Sequence, residues 1–264
     1  MPSIRHFVGF ANGTLFFLTF AVVGVGFNLA LDAVMRRYVS PEVRGRASPT
    51  AAVTVQVLAT IYAVLVAFVI VSEYDQLRSA NDQVATKGSE LSAIVENSRA
   101  FPEPAGHEIR LATTAYARNI VDHSFPDLAR TAKPDEAADR RLEAMFRALH
   151  SVRLDSGETS ADYNRSLDLL DGIVETRARI VNAAGETVPW PLVFLLAIMG
   201  AAVIVVSNIL DTRHRRSHLL ITSALALVVS LTLALVVSLN FPFHGILPIS
   251  DAPIRQFLEF RAER

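Results

Sequence analysis

The 264-residue chain is 51% apolar, with a positive mean hydropathy; it is too apolar for an ordinary soluble domain and too charged in its middle for a bundle of spans alone. A formal net charge of −1 offers no field for nucleic acid, and the basic residues cluster beside apolar runs, as membrane topology signals do. The absence of cysteine excludes disulfides, thiolate metal sites and cysteine nucleophiles.

Residues 7–34 form the first apolar run, broken only by Asn12, Asn28 and Asp32. It is longer than the apolar part of a signal peptide and no small-residue cleavage site follows, so it reads as a retained span. Gly9 and Gly13 stand in a small-xxx-small arrangement that admits a close helix neighbour. Asp32, beside Arg36 and Arg37, reads as an interfacial group rather than a buried carboxylate. The connection that follows holds Arg36, Arg37, Tyr38, Pro41, Arg44, Gly45, Arg46 and Pro49, an arginine-rich topology anchor with turn residues.

The second span covers residues 51–72, uncharged and of the length that crosses a bilayer. Gln56, Thr60, Ala63 and Ala67 recur at helical spacing, with Ala59 beside them, giving a small and mildly polar face that packs on a helix or lines water. Beyond Glu73 the polarity changes, yet Tyr74, Leu77, Asn81, Val84, Gly88, Leu91, Val95 and Ser98 continue in alternating steps of three and four, a heptad seam. With no proline before Pro102, span and seam predict one helix on the order of 70 Å long. Asn81 and Gly88 make the seam one wall of a bundle, not a free coiled coil.

Residues 73–188 predict a soluble domain of four helices. The first ends at Phe101-Pro102-Glu103-Pro104. The second spans residues 107–124, with Ile109, Ala112, Tyr116, Ile120 and His123 on one face and Pro126 as its stop. The third spans 134–152, with Pro134, Asp135 and Glu136 in its first turn and Leu142, Met145, Phe146 and Leu149 inward; Asp155-Ser156-Gly157 closes it. The fourth spans 160–183, with Tyr163, Leu167, Leu170, Val174 and Val181 as its stripe. Four amphipathic helices imply a bundle.

Pro189-Trp190-Pro191 opens the third span, residues 189–210, with the only tryptophan at the membrane interface. The fourth span, 218–240, follows Arg213, His214, Arg215 and Arg216. Along it Ser223, Ala226, Ser230, Ala234 and Ser238 form a small stripe that predicts close packing on another helix. The tail, 241–264, begins with a proline-glycine turn region and ends in a short amphipathic helix carrying Ile254, Phe257 and Leu258. Ser250 or Asp251 caps it, and it lies at the interface or docks on the bundle.

Arg36, Arg37, Arg44, Arg46, Arg213, Arg215 and Arg216 crowd the two short connections. By the positive-inside rule these loops are cytoplasmic, and the helical domain, amino terminus and tail lie outside the cytoplasm, in a multi-pass protein of the inner membrane. The same arginines could bind anionic lipid headgroups or ring a pore mouth, beside their role as anchors.

The order of parts resembles the bestrophin-like membrane proteins of bacteria and plants. The most specific stretch is Leu239-Asn240-Phe241-Pro242-Phe243-His244-Gly245-Ile246-Leu247-Pro248-Ile249-Ser250 with Pro253 and Phe257, which is similar to the family's Pro-Phe-x-Gly turn. The resemblance implies an all-α membrane protein, four transmembrane helices plus a helical bundle inserted between spans 2 and 3. It also implies a homo-oligomer, as bestrophins proper are pentameric anion channels, with a pore lined by the second span, here Gln56, Thr60, Ala63 and Ala67. The family's pore-helix Asn-Pro pair and acidic calcium clasp have no counterpart in this chain.

No catalytic constellation is read. His107, His123 and His150 are scattered, and no His-x-x-x-His or Glu-x-x-His pair offers metal ligands. Asp122-His123-Ser124 lists triad residue types, but adjacent helical positions point apart. Val23-Gly24-Val25-Gly26 lies in an apolar run and follows no strand, so no nucleotide loop is read. The expectation is a non-enzyme without cofactor or metal, partnered by the lipid bilayer, by further copies of itself and by inorganic anions, with no nucleic acid. The alternatives are a non-conducting scaffold or sensor whose helical domain binds a partner and, more remotely, a small-molecule transporter.

Overall fold

The computed structural model describes residues 13–131, 133–153, 157–185, 188–210, 215–240, 243 and 248–262. Among them there are helices and no strands. In chain order the helices are α1 (Gly13–Tyr38), α2 (Pro41–Asn97), α3 (Ala105–Asn119), α4 (Phe125–Thr131), α5 (Glu136–His150), α6 (Gly157–Gly185), α7 (Trp190–Ser207), α8 (Arg215–Leu239) and α9 (Ala252–Ala262). A 3-10 turn, Ser98–Ala100, ends α2, and a π-helical segment, Ile120–Ser124, joins α3 to α4. Four helices, α1, α2, α7 and α8, are long and apolar enough to cross a membrane. The chain divides into two compact units, Met1–Asp75 with Val188–Ile246 and Gln76–Thr187 with Leu247–Arg264.

In the first unit α1 packs chiefly on α8, and α8 on α7. Two glycines make this possible. A Cβ on Gly24 would stand 1.7 Å from Ser230 Oγ, and one on Gly200 would stand 2.7 Å from Val229 Cγ1 and 3.4 Å from the Tyr62 ring. Small residues let helix backbones approach where lipid supplies no hydrophobic drive for association. Tyr62, Val66 and Val69 of α2 close this core with Leu196, Val203, Ala226 and Val236. The Tyr62 hydroxyl reaches Thr232 Oγ1 at 3.2 Å. Asn240 accepts the Val188 N–H at 2.6 Å, joining the entry of α7 to the exit of α8.

α2 begins ten residues before the predicted second span. The connection from α1 shrinks to Val39 and Ser40, because Ser40 Oγ accepts the Val43 N–H and proline is tolerated at a first helical position. Pro49 lies inside α2. The loop arginines Arg44 and Arg46 are therefore helical.

In the second unit the seam of α2 is the buried wall. Leu77, Val84, Gly88, Leu91, Val95 and Ser98 are buried, Asn81 is half-buried and Tyr74 is exposed. Ala80, Lys87 and Ile94 are buried beside them, so the buried face is wider than the seam. α3 packs on α5 through Ile109, Tyr116, Leu142, Met145 and Leu149, all nearly inaccessible. Asp135 caps α5 by accepting the Ala137 N–H at 2.8 Å, a contact worth about 1 kcal/mol.

Two predictions are corrected here. Pro126 does not end the second helix: the Phe125 N–H reaches back five residues to the Ile120 carbonyl, and the chain continues through Pro126 to Thr131. That π register turns Ser124 inward and leaves His123, placed on the inner face by simple periodicity, exposed. On α6 the buried stripe is Ser166, Leu170, Ile173, Thr176 and Ile180, whereas Val174 is 42% exposed and Tyr163, Leu167 and Val181 are half-buried. The face is rotated because Ser166 and Thr176, which no hydropathy pattern marks, turn inward.

The tail helix α9 docks on the second unit. Ile254 and Phe257 are buried, a Cβ on Gly88 would stand 3.1 Å from the Pro253 carbonyl oxygen, and Asn81 accepts the Ser250 N–H at 3.0 Å. Ser250 Oγ accepts the Ala252 N–H at the helix start. Gly9, Asn12, Asp155, Ser156, Arg213 and most of the Pro-Phe-x-Gly turn lie outside the described residues.

Candidate functional site

Gln56, Thr60, Ala63 and Ala67 lie on α2 within an arc of about 60° at 3.6 residues per turn, and all four are exposed in the single chain. Thr60 spends its hydroxyl on the Gln56 carbonyl at 2.8 Å, as buried or lipid-facing threonines do. Beside the stripe Val53, Val57, Ile61, Val64, Phe68 and Val71 are also exposed, by 46% to 76%. The opposite face of α2, with Tyr62, Val66 and Val69, fills the core of the same unit. Among the described residues nothing of the chain covers the stripe, and α2 presents one packed face and one bare face.

The small stripe of α8 lies the other way. Ala226, Ser230, Ala234 and Ser238 are buried and Ser223 is half-buried. Gly24 of α1 sits on Ser230 and the Ala226 carbonyl, and Ser223 accepts from Asn28 at 3.2 Å.

The arginines divide. Arg36 grips Asp32 with its Nε at 3.0 and 2.8 Å from the two carboxylate oxygens, Arg44 is half-buried, and Arg37, Arg215 and Arg216 are exposed. The side chain of Arg46 and all of Arg213 lie outside what is described.

A buried polar network joins α1 to the ends of α7 and α8, and sequence reasoning did not assemble it. Asn28, fully inaccessible, donates to Thr222 Oγ1 at 3.2 Å and accepts from Asn208 Nδ2 at 2.9 Å. One turn on, Asp32 is 4% exposed, held by Arg36 and 3.8 Å from His218 Nε2. Asp32, expected to be unburied, is therefore a buried, paired carboxylate. The available signal was the i, i+4, i+8 spacing of Asn28, Asp32 and Arg36, one face of one helix. Each member of such a network is costly to bury alone and inexpensive once bonded.

In the second unit the π segment carries a further cluster. Asn119 and Ser124 donate to Asp135 Oδ2 at 2.6 and 2.9 Å. Burial pushes the Asp135 carboxyl up, but these bonds and those from the Ala137 and Ala138 N–H groups outweigh it and hold it below the usual carboxylate range. An open groove beside it is lined by Thr114, Arg118, Asp122, His123 and Arg141. Among the described residues no three His, Asp or Glu side chains converge as a metal site.

Comparison with known proteins gives the fold a family context. The Bestrophin-like domain matches residues 22–254. No curated protein sequence matches closely enough to count as a relative. Crystal structures of a bacterial bestrophin homologue from Klebsiella pneumoniae share the fold. One single-residue variant superposes with a TM-score of 0.70 at 12% identity, over 90% of this chain and 96% of that one. A second gives 0.68 at 14%, over 92% and 98%. The structure phased on zinc gives 0.67 at 12%, over 90% and 94%.

Proposed function

We propose, because the chain belongs to the Bestrophin-like family, that this channel-like membrane protein works as an oligomeric ion channel that conducts inorganic anions. Several copies, most simply five, ring a shared pore, and each turns the Gln56, Thr60, Ala63 and Ala67 stripe of α2 toward it. The observation that carries the reading is the exposure of that stripe within a helix of span-like hydropathy. A glutamine amide left facing lipid is costly, so the face calls for water or a neighbouring subunit. The flanking Val57, Ile61, Val64 and Phe68 supply the apolar surface on which copies would meet. Exposed Arg37, Arg215 and Arg216 would draw anions to one mouth, the one facing the cytoplasm under the positive-inside rule.

The test is ion flux in liposomes holding the purified protein. Wild type is expected to conduct, and tryptophan at Thr60 or Ala63 is expected to cut conductance at least about tenfold, the scale of one lost favourable contact of 1.4 kcal/mol. Silent bilayers across voltage and pH would overturn the channel and favour a scaffold whose helical unit binds a partner.

A further inference from the structure

We propose that Lys87 and Tyr116 hold one small monovalent anion, of halide size, in a cavity inside the helical unit Gln76–Thr187 with Leu247–Arg264. The site lies on the seam of α2, apart from the stripe assigned to the pore. The cavity measures about 20 Å³ and is lined by Lys87, Tyr116, Ser124, Asp135 and Arg177 among aliphatic and phenyl groups. On the same measure about 10–15 Å³ holds one water, so a single monatomic guest fits and a phosphate does not.

The polar lining divides into groups already bonded and groups that are not. Ser124 donates to Asp135, and Asp135 also accepts from Asn119 and the Ala137 N–H. Arg177 is bonded to Asp139 and donates to the Asp135 carbonyl at 2.8 Å. Two donors are left. The Tyr116 hydroxyl is buried without a partner on a side chain with no exposure. The Lys87 ammonium, on a side chain 3% exposed, lies 5.9 Å from the centre of the Tyr116 ring. Glu90, one turn along α2, forms no ion pair with it, and its own Oε2 is buried and unbonded.

A buried donor left unbonded is destabilising, and a buried charge more so. A guest that accepts from both Lys87 and Tyr116 resolves both. Water could accept the two bonds, but it would leave the Lys87 charge facing that of Arg177, whereas an anion offsets the repulsion. The titratable and charged groups that act on Lys87 or line its cavity are Glu90 on α2, Tyr116 on α3, Asp135 at the cap of α5 and Arg177 on α6, the last paired with Asp139 of α5. Burial first and Arg177 second bring its ammonium down to about 7, with Glu90 acting in the opposite direction. Anion binding therefore takes up a proton and strengthens as pH falls.

The test is thermal unfolding of the full chain in detergent, at constant ionic strength, in sodium chloride or bromide against sodium gluconate. Halide is expected to raise the midpoint saturably at pH 6, with the response nearly gone at pH 9. Lys87→Met is expected to abolish the response and leave conductance intact, while Tyr116→Phe weakens halide affinity about tenfold, the scale of one hydrogen bond. In crystals grown in bromide at pH 6, anomalous density is expected against Lys87 Nζ. A wild-type midpoint indifferent to halide, a response that survives Lys87→Met as pore binding would, or a cavity without bromide density would each overturn the proposal.

Discussion

Asn28 shows how much one side chain can carry inside an apolar span. Replacing it with alanine removes one of the two bonds that Asn208 Nδ2 donates, leaving that to the Ile204 carbonyl, and takes away the donor to the Thr222 and Ser223 hydroxyls, of which Thr222 keeps its bond to the His218 carbonyl. The expected loss is about 1–3 kcal/mol, the desolvation cost of buried groups left unmade, read as a lower unfolding midpoint in detergent. Lys87 gives a second expectation at this scale, measured in gluconate without halide. Its folded value, about 7, lies below its ordinary 10.5, so between those pH values the unfolded chain binds the extra proton and stability rises with pH. The slope is at most one proton, about 1.4 kcal/mol per pH unit, and is absent below pH 7, where both states are charged. Chemical denaturation from pH 6 to pH 10 checks it, and Lys87→Met is expected to flatten the curve. Neither residue announced itself in the sequence. Asn28 registers there only as a break in an apolar run, and Lys87 follows the seam position Val84 by three, where a charge reads as solvated until Tyr116 and Arg177 close over it.

At the scale of elements, hydropathy located the four span helices and periodicity located the seam, because both signals are carried by many residues at once. What failed was decided by single groups. The start of α2 depends on one hydroxyl, Ser40, and the helix through Pro126 depends on a local i→i−5 register that no propensity reports. The buried face of α6 turns on two hydroxyl residues, Ser166 and Thr176. The tail was open between the membrane interface and the bundle until Gly88 met Pro253. Gly88→Val places branched carbons where the Pro253 carbonyl and Cβ stand at 3.1 and 3.2 Å, and overpacking of this kind costs about 1–3 kcal/mol. It is expected to release α9 while α2 stays folded. Hydrogen exchange is the measurement: the amides of Ala252–Ala262 should lose protection and those of the α2 seam should keep it. Equal protection of α9 in both proteins would mean that the docking does not depend on that close approach.

At the scale of the whole molecule, a single copy leaves one face of α2 uncovered. α2 gives one face to its own core and leaves Gln56, Thr60, Ala63 and Ala67 bare beside Val57, Ile61, Val64 and Phe68. Lipid would accept the valines and phenylalanine but not the glutamine, and four span helices in one chain are too few to enclose a wide pore. A ring of copies answers both conditions, with polar stripes facing water and apolar flanks facing each other. The mass of the detergent-solubilised particle is the measurement, and a defined oligomer, a pentamer on the proposed reading, is the expected result. Phe68→Glu, which puts a carboxylate on the 76% exposed flank, is expected to shift the particle toward monomer, because a charge buried between apolar faces without a partner is strongly unfavourable. Thr60→Val, nearly isosteric and inside the stripe, is expected to leave the mass unchanged and alter only conduction. A wild-type monomer would remove the pore altogether and redirect attention to partners of the helical unit. An oligomer indifferent to Phe68→Glu would move the subunit contact to another face, leaving the stripe to be tested by conductance alone.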